Sequence, residues 1–109
     1  MKKIYGIIRQ LGVTSDYQGY FFVADAVRLA MNSKDKPIRM TKDIYPYLAR
    51  KYTTTTLNIE QDIRTLIDVC WKTNRKGMTE IAGQPLICKP VNSEFIDMVA
   101  CHLLSSKEE

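Results

Sequence analysis

A chain of 109 residues that is 45% hydrophobic, with only 5 glycines and 4 prolines, suits one compact domain with a single core. These values exclude a repeat array and a disordered segment. The net charge of +4 and the pI near 9.0 favour a polyanionic partner, either nucleic acid or an anionic membrane surface, although many ordinary soluble domains are as basic.

The N-terminal stretch MKKIYGIIRQLG has two lysines followed by an apolar run, but Arg9 interrupts this run and no small-residue cleavage site follows. We therefore expect a helix there and not a secretory signal. No window approaches the roughly 18 apolar residues that a membrane span needs. The three cysteines, Cys70, Cys88 and Cys101, are widely spaced without a C-x-x-C motif, which argues against a disulfide framework and a structural zinc site. The expectation is a soluble protein in the reducing cytoplasm, without membrane contact.

The only histidine, His102, follows Cys101 in the sequence. Neighbouring residues on a helix point about 100° apart, so we expect a core thiol beside a surface imidazole, not a metal or nucleophile site. The chain also lacks a glycine-rich phosphate loop and a paired-carboxylate constellation. An enzyme therefore has little support, and we expect no metal, cofactor or small-molecule substrate.

Apolar residues at helical spacing predict two N-terminal helices. The first spans about residues 2–11, and Gly12 stands where the end of a helix favours a positive φ. The second begins after Gly19 and reaches about Asn32, where SKDKP ends it. The apolar positions of these helices are Ile4, Ile7, Ile8 and Leu11, and then Tyr20, Val23, Ala24, Val27 and Met31.

A third helix is predicted with Thr41 as its cap and Asp43 at the positive end of its dipole. Pro46 removes one backbone hydrogen bond, so the first full turn is expected to begin at Pro46 and to continue to Lys51. Its buried side would be formed by Ile44, Leu48 and Tyr52.

The stretch KYTTTTLNIEQDIRTLIDVCWK, from Lys51 to Lys72, predicts a sharp turn followed by a long amphipathic helix. Threonines resist helix formation, and Thr55 or Thr54 can cap the helix after the turn. The predicted buried stripe is Ile59, Ile63, Leu66, Ile67 and Cys70, and the opposite face carries Thr54, Asn58, Gln61, Thr65 and Asp68. This layout fits a plain αα-hairpin without a ligand, and the amide-rich start of the second helix favours a groove-reading helix-turn-helix.

Beyond Trp71, the residues Arg75, Lys76 and Gly77 are predicted to end this helix, with cations at its negative end and glycine past its stop. A short helix is expected over residues 78–82 and an extended segment over 85–91. Asn92 or Ser93 then caps a last helix, and residues 105–109 form a frayed tail. The buried residues of the last helix are predicted to be Phe95, Ile96, Val99 and Leu103.

Three blocks of the sequence resemble those of a known protein family: KDIYPYLARKYTT, then I-E-x-x-I-R-x-x-I-x-V-x-W, then KPVNSEFIDMVA followed by x-x-L. From about Ile8 to Leu104 the chain resembles the C-terminal effector domain of the master response regulator that starts sporulation in endospore-forming bacteria. The resemblance implies an all-α domain of about six helices around a helix-turn-helix, in agreement with the helices predicted above. It implies double-stranded DNA as the partner, often in tandem sites on which two copies pair, and RNA polymerase sigma factor as a second partner.

Members of that family usually carry an N-terminal phosphoacceptor receiver domain, and we expect none in this chain. We expect residues 1–109 to form a single helix-turn-helix domain, and the Met-Lys-Lys start favours a free-standing relative over an excised domain. The segment after Trp71 is about four residues shorter than is usual in the family.

The resemblance implies that the second helix of the motif, about residues 55–72, reads base pairs in the major groove. The family's two arginines around the motif glutamate align with Asn58 and Gln61, whereas Glu60 and Arg64 are kept and Thr65 lies on the same side. Amides suit adenine and arginine suits guanine, so the positions facing Asn58 and Gln61 are expected to be rich in A·T.

The charge of this helix opposes such a role, because Leu57 to Trp71 contains three acids and one base, a net charge of −2. Phosphate attraction must therefore come from other groups. The candidates are the cations Lys42, Arg50, Lys51, Lys72, Arg75 and Lys76 and the hydroxyls of Thr54, Thr55 and Thr56. Each cation has plain solvation as its alternative, and Glu60 with Arg64 can form a solvated i, i+4 ion pair.

The helix-turn-helix reads duplex DNA and needs no exposed aromatic, so Tyr45, Tyr47, Tyr52 and Trp71 are expected in the core. The competing hypothesis is a protein-protein interaction module of the same fold with weak or lost DNA binding. The acidic helix and the two replaced arginines are its support.

Overall fold

Six α-helices and one π-helical turn follow one another in the computed structural model, which describes residues 2–33 and 38–107 and only the backbone of residues 106 and 107. No strand occurs in these residues, so the predicted all-α fold is confirmed. The helices are α1 Lys2–Gln10, α2 Gly19–Asn32, α3 Tyr45–Lys51, α4 Thr56–Thr73, α5 Arg75–Ala82 and α6 Asn92–Lys107, with the π-helical turn Met40–Ile44 before α3. None of these helices is long and apolar enough to cross a membrane.

The central element is α2, which packs against α1, α3, α4 and α6. Its first residue, Gly19, lies directly on α4, because a Cβ built there would be only 2.4 Å from the backbone oxygen of Asp62. This close approach requires glycine, and it fixes where α4 crosses the start of α2. The α2 core residues include Phe22, Val23, Ala24, Ala26 and Val27.

The first two helices lie where the apolar spacing predicts them. Gly12 follows α1 with a φ of +92°, as expected of a helix end, and α2 ends at Asn32. Positions 34–37 of the SKDKP stop signal lie outside the described residues.

Thr41 does not cap α3, and that prediction is wrong. Thr41 lies inside the π-helical turn, and the residue in the extended cap position is Arg39, whose backbone N–H donates to the Asp43 carboxylate at 2.9 Å. The Asp43 carboxylate thus satisfies the N–H of the cap residue, and no side chain caps the N–H groups of this turn. Pro46 stands in the first turn of α3, which is the part of a helix that best tolerates a residue without an N–H.

The predicted end of α4 at Arg75, Lys76 and Gly77 is also wrong, because these residues form the first turn of α5. Asn74 separates the two helices: its Oδ1 accepts from the backbone N–H of Gly77 at 3.0 Å, which caps α5. Its Nδ2 donates to the backbone oxygen of Gln10 at 2.8 Å and ties the junction to α1. The glycine that ends α5 is Gly83, with a φ of +75°.

The last helix begins at Asn92 and continues through Lys107, so it occupies part of the predicted tail of residues 105–109, of which 108 and 109 lie outside the described residues. At its start the Glu94 carboxylate accepts from the backbone N–H of Val91 at 3.0 Å. The four predicted buried residues, Phe95, Ile96, Val99 and Leu103, all lie in the core.

The prediction for Cys101 and His102 is wrong, since Cys101 is exposed and His102 is half-buried. The buried face of α6 includes Ala100, and the next residue along the helix turns outward. The Sγ of Cys101 lies 3.9 Å from Asp97 Oδ1. Within the described ranges no group of three or more histidine, cysteine, aspartate or glutamate residues could hold a metal ion.

Candidate nucleic-acid interface

The threonine stretch forms the turn between α3 and α4. The backbone N–H of Thr54 donates to the oxygen of Ala49 at 2.9 Å, and that of Thr53 donates to the oxygen of Arg50 at 3.4 Å. This pair of bonds is the Schellman ending of a helix, which needs a left-handed residue, and Thr53 has a φ of +52°. Glycine is usual at this position, so a β-branched residue holds the turn under strain.

Two threonines then organise the first turn of α4. Thr55 is the cap, because its Oγ1 accepts from the backbone N–H of Asn58 at 3.1 Å, which confirms the predicted cap. The Oγ1 of Thr54 accepts from the side-chain Nδ2 of Asn58 at 3.0 Å. Both hydroxyl oxygens are thus used as acceptors, and each retains its own hydrogen for donation outward.

The two faces of α4 are divided as its sequence predicts. The residues buried against the core are Ile59, Ile63, Leu66, Ile67 and Cys70. Among the predicted base-reading residues of the first three turns, Asn58, Gln61, Arg64 and Thr65 are exposed and Glu60 is half-buried. Asn58, Gln61 and Thr65 share one side of the helix, whereas Glu60 and Arg64 lie about 120° to 160° around the helix from Asn58. Leu57 is also 59% exposed beside them, an apolar residue that the sequence analysis did not single out.

Two of the three acids on α4 are neutralised by cations. Glu60 and Arg64 form the predicted i, i+4 ion pair, at 2.5 Å between Oε1 and the guanidinium. Asp68 forms an ion pair with Lys89, which comes from the segment before α6. Sequence analysis missed Lys89, because the two residues are 21 positions apart and no local pattern connects them. The net negative charge around α4 is therefore smaller in the fold than the sequence of this helix alone indicates.

A buried polar contact fixes α4 against α3 and α6. The side-chain amide of Asn92 donates to the Tyr45 hydroxyl at 2.9 Å and to the backbone oxygen of Glu60 at 3.1 Å. Burial raises the pKa of the Tyr45 hydroxyl, while the amide of Asn92 acts in the opposite direction. Asn92 or Ser93 was predicted as the cap of the last helix; Asn92 is the first residue of α6, and its side-chain amide connects the start of α6 to α4.

Of the four aromatic residues expected in the core, Tyr45 is buried and Tyr47 and Trp71 are half-buried. Tyr52 is 36% exposed, so its prediction holds only in part. Its ring packs edge-on against Phe22 at a centroid distance of 4.9 Å.

The cations predicted to bind phosphate do not form one patch. Arg50 is exposed and lines a shallow cavity of about 550 Å³ with Ala49 and the turn residues 53–55. Lys51 is held differently, since its ammonium lies 2.9 Å from the Asp25 carboxylate. Lys42 is exposed on the π-helical turn, at the other end of α3, beside a groove that also contains Asp97.

Three more cations, Lys72, Arg75 and Lys76, are exposed around the junction of α4 and α5. Lys72 follows Thr56 by sixteen residues, which is about 24 Å along a helix. The guanidinium of Arg75 stacks over the ring of Trp71 at 4.1 Å from its centroid. This group can contact phosphate together with Arg50 only if α4 lies along a groove and not end-on.

A short helix, a strained turn and a longer helix with polar, exposed first turns define a helix-turn-helix domain of the kind that binds DNA. The family model described as Sporulation initiation factor Spo0A C terminal matches residues 4–103. The chain belongs to this family. The family is the DNA-binding effector domain of the sporulation regulator, so DNA-binding transcription regulation is the function of this domain class, which is not an enzyme family.

Proposed function

We propose that this protein is a cytoplasmic transcription regulator that reads a specific duplex sequence through the major groove with the first three turns of α4. The observation that carries this proposal is the exposed side of α4 formed by Asn58, Gln61 and Thr65, which follows the strained turn at Thr53 and lies opposite the buried side of the helix. Helix-turn-helix proteins use this part of their second helix to contact base edges.

The bonds around Asn58 favour adenine as its target. An asparagine amide has two donor hydrogens and one acceptor oxygen, and only one of these hydrogens is used by Thr54 Oγ1. The remaining hydrogen and Oδ1 match N7 and N6 of adenine. Because the bond to Thr54 already orders the side chain, little rotational freedom is lost on binding. Gln61, one turn further along the helix and exposed, has the same chemistry.

Phosphate binding is proposed mainly at the turn. Arg50 and the outward hydroxyl hydrogens of Thr54, Thr55 and Thr56 lie together with the start of α4, whose positive dipole end attracts anions. Lys51 contributes less, because its charge is shared with Asp25. The second anchor is the group Lys72, Arg75 and Lys76, with Lys42 as an outlying contact.

Titration of duplex DNA by gel shift at several salt concentrations tests this proposal. Phosphate contacts make the logarithm of affinity fall linearly with the logarithm of salt concentration. Loss of one contact makes this negative slope shallower by about 1. We expect Arg50→Gln to lower the slope and Lys3→Gln, an exposed cation on α1, to leave it unchanged. Absence of duplex binding in dilute buffer, or affinity that does not change with salt, would contradict the proposal.

A protein-interaction module is the second candidate, and two exposed apolar features favour it. Leu57 is 59% exposed on the first turn of α4. A groove of about 700 Å³ lies between α5, residues 83–90 and α6, and Ile87 in that segment is 99% exposed. Under this second hypothesis sigma factor would be the partner, and the affinity for duplex DNA would not change with salt concentration.

Pairing of two copies on tandem sites belongs to the first proposal and would give two shifted bands in the gel.

A further inference from the structure

Within the polar cluster at the end of α3, only Lys51 has a place among the base and phosphate contacts proposed above. Asp25 lies in the apolar stretch of α2 between Ala24 and Ala26, and it is only 3% exposed. Its Oδ2 accepts from the Lys51 ammonium at 2.9 Å and from the Tyr52 hydroxyl at 2.5 Å. A guanidinium nitrogen of Arg28 lies 3.9 Å from Oδ1.

The two donors to Asp25 are consecutive residues at the end of α3, directly before the threonine turn. Lys51 is the last residue of α3, Tyr52 is its cap, and the strained Thr53 follows directly. Asp25 therefore holds the two residues that precede the left-handed position of the turn. Burial and the bond to Asp25 raise the pKa of Tyr52, so its hydroxyl stays protonated as a donor.

Stability alone does not require a carboxylate at this place. Buried ion pairs are often no more stable than apolar side chains of the same shape, because desolvation offsets the attraction between the charges. A buried carboxylate does impose direction, since it must be approached by donors at fixed distances. Here that direction determines where α3 ends and therefore where Thr54 and Thr55 place the start of α4.

We propose that Asp25 is a positioning residue for DNA binding, which holds the end of α3 and the threonine turn in the orientation that presents α4 to the duplex. This inference rests on the proposed function, and it concerns a residue that does not itself contact DNA. Its consequence is that a change inside α2 alters DNA affinity without removing any group from the DNA-binding surface.

Two variants test the role of Asp25. Tyr52→Phe removes only the hydroxyl donor and keeps the ring against Phe22, and Asp25→Asn removes the charge with little change of shape. Val99→Ala, a fully buried change in α6, is the control that lowers stability without touching the turn. Each protein is compared at a temperature at which circular dichroism shows it fully folded.

Amide hydrogen exchange is measured first, because it needs no DNA. We expect the N–H groups of Thr54 and Asn58 to exchange about tenfold or more faster in Asp25→Asn, the effect of losing one hydrogen bond to a charged group. Relative to global unfolding, the amides of α6 should keep their wild-type rates. In Val99→Ala the turn amides should remain as protected as in the wild type, relative to global unfolding.

Duplex affinity is measured next, with the sequence selected by the wild-type protein and a scrambled duplex of equal length. We expect Asp25→Asn and Tyr52→Phe to bind the selected duplex about tenfold more weakly. The affinity of Tyr52→Phe for the scrambled duplex should stay within about twofold, whereas Asp25→Asn, which frees the Lys51 ammonium, should bind that duplex no more weakly than the wild type does. Val99→Ala should leave both affinities unchanged. Unchanged exchange in the turn, or faster exchange with an unchanged preference for the selected duplex, would overturn this inference. A wild-type protein that binds no duplex would instead overturn the proposed function, before any variant is compared.

Discussion

Asn58→Ala separates base reading from helix capping, because these roles belong to different atoms of the residue. The backbone N–H that completes the Thr55 cap is retained in alanine, and only the bond from Nδ2 to Thr54 Oγ1 is lost. That bond is solvent-accessible, and alanine favours helix more than asparagine does, so we expect a folding change of no more than about 0.5 kcal/mol. Loss of a bidentate adenine contact would cost about 1 to 3 kcal/mol of binding, a rise in Kd of roughly 5- to 160-fold.

Fluorescence anisotropy with the selected duplex measures this loss, and Asn32→Ala, an exposed amide at the end of α2, is the matched control. Replacing the contacted adenine by 7-deazaadenine removes the N7 acceptor from the DNA side. We expect this change to weaken the wild type and to have no further effect on Asn58→Ala, because the same bond is already absent. Equal affinity of wild type and variant, or additive losses from the two changes, would refute the base contact.

Three further changes have expected outcomes. Thr53→Gly should stabilise the protein by about 0.5 to 1 kcal/mol in urea unfolding, because relief of the left-handed strain exceeds the added chain entropy; lower stability would contradict the strained turn. Lys72→Gln should lower the salt slope of duplex binding by about 1 if α4 lies along the groove, and should not change it if the helix enters end-on. Alkylation at pH 8 should modify the exposed Cys88 fastest and Cys101 more slowly, because burial and Asp97 raise the Cys101 pKa and reduce its thiolate. Burial raises the pKa of Cys70 to about 12, so mass spectrometry should find Cys70 modified only after unfolding.

Much of the fold follows from apolar spacing, because a helix that buries one side must repeat its apolar residues at the helical period. The bounds of α2 and the buried stripe of α4 were predicted for this reason. The junction at Asn74 was not, because a side chain that caps the next helix has the same composition as a residue in a loop. Local pattern also favoured Thr41 as a cap, and the π-helical turn that contains Thr41 leaves no periodic signal in the sequence.

The candidate site could be predicted where it depends on one helix and not where it depends on contacts between helices. The exposure of Asn58 and Gln61 followed from the polar face of α4, and their assignment as base readers came from the resemblance to the family. The pairing of Asp68 with Lys89, and of Asp25 with Lys51, depends on the packing of distant segments. One signal for Asp25 was present in the sequence: an acid in the middle of the buried face of α2 needs a partner, since an unpaired buried charge is strongly unfavourable.

Selection of bound sequences from random duplex DNA tests the central claim most directly, because it asks whether the surface around the threonine turn reads bases at all. We expect the wild-type protein to enrich one short motif with A·T pairs opposite Asn58 and Gln61. Asn58→Arg should change a single position of that motif from adenine to guanine, since arginine matches the guanine edge. A selection that enriches no sequence, or a motif that Asn58→Arg leaves unchanged, would contradict the account.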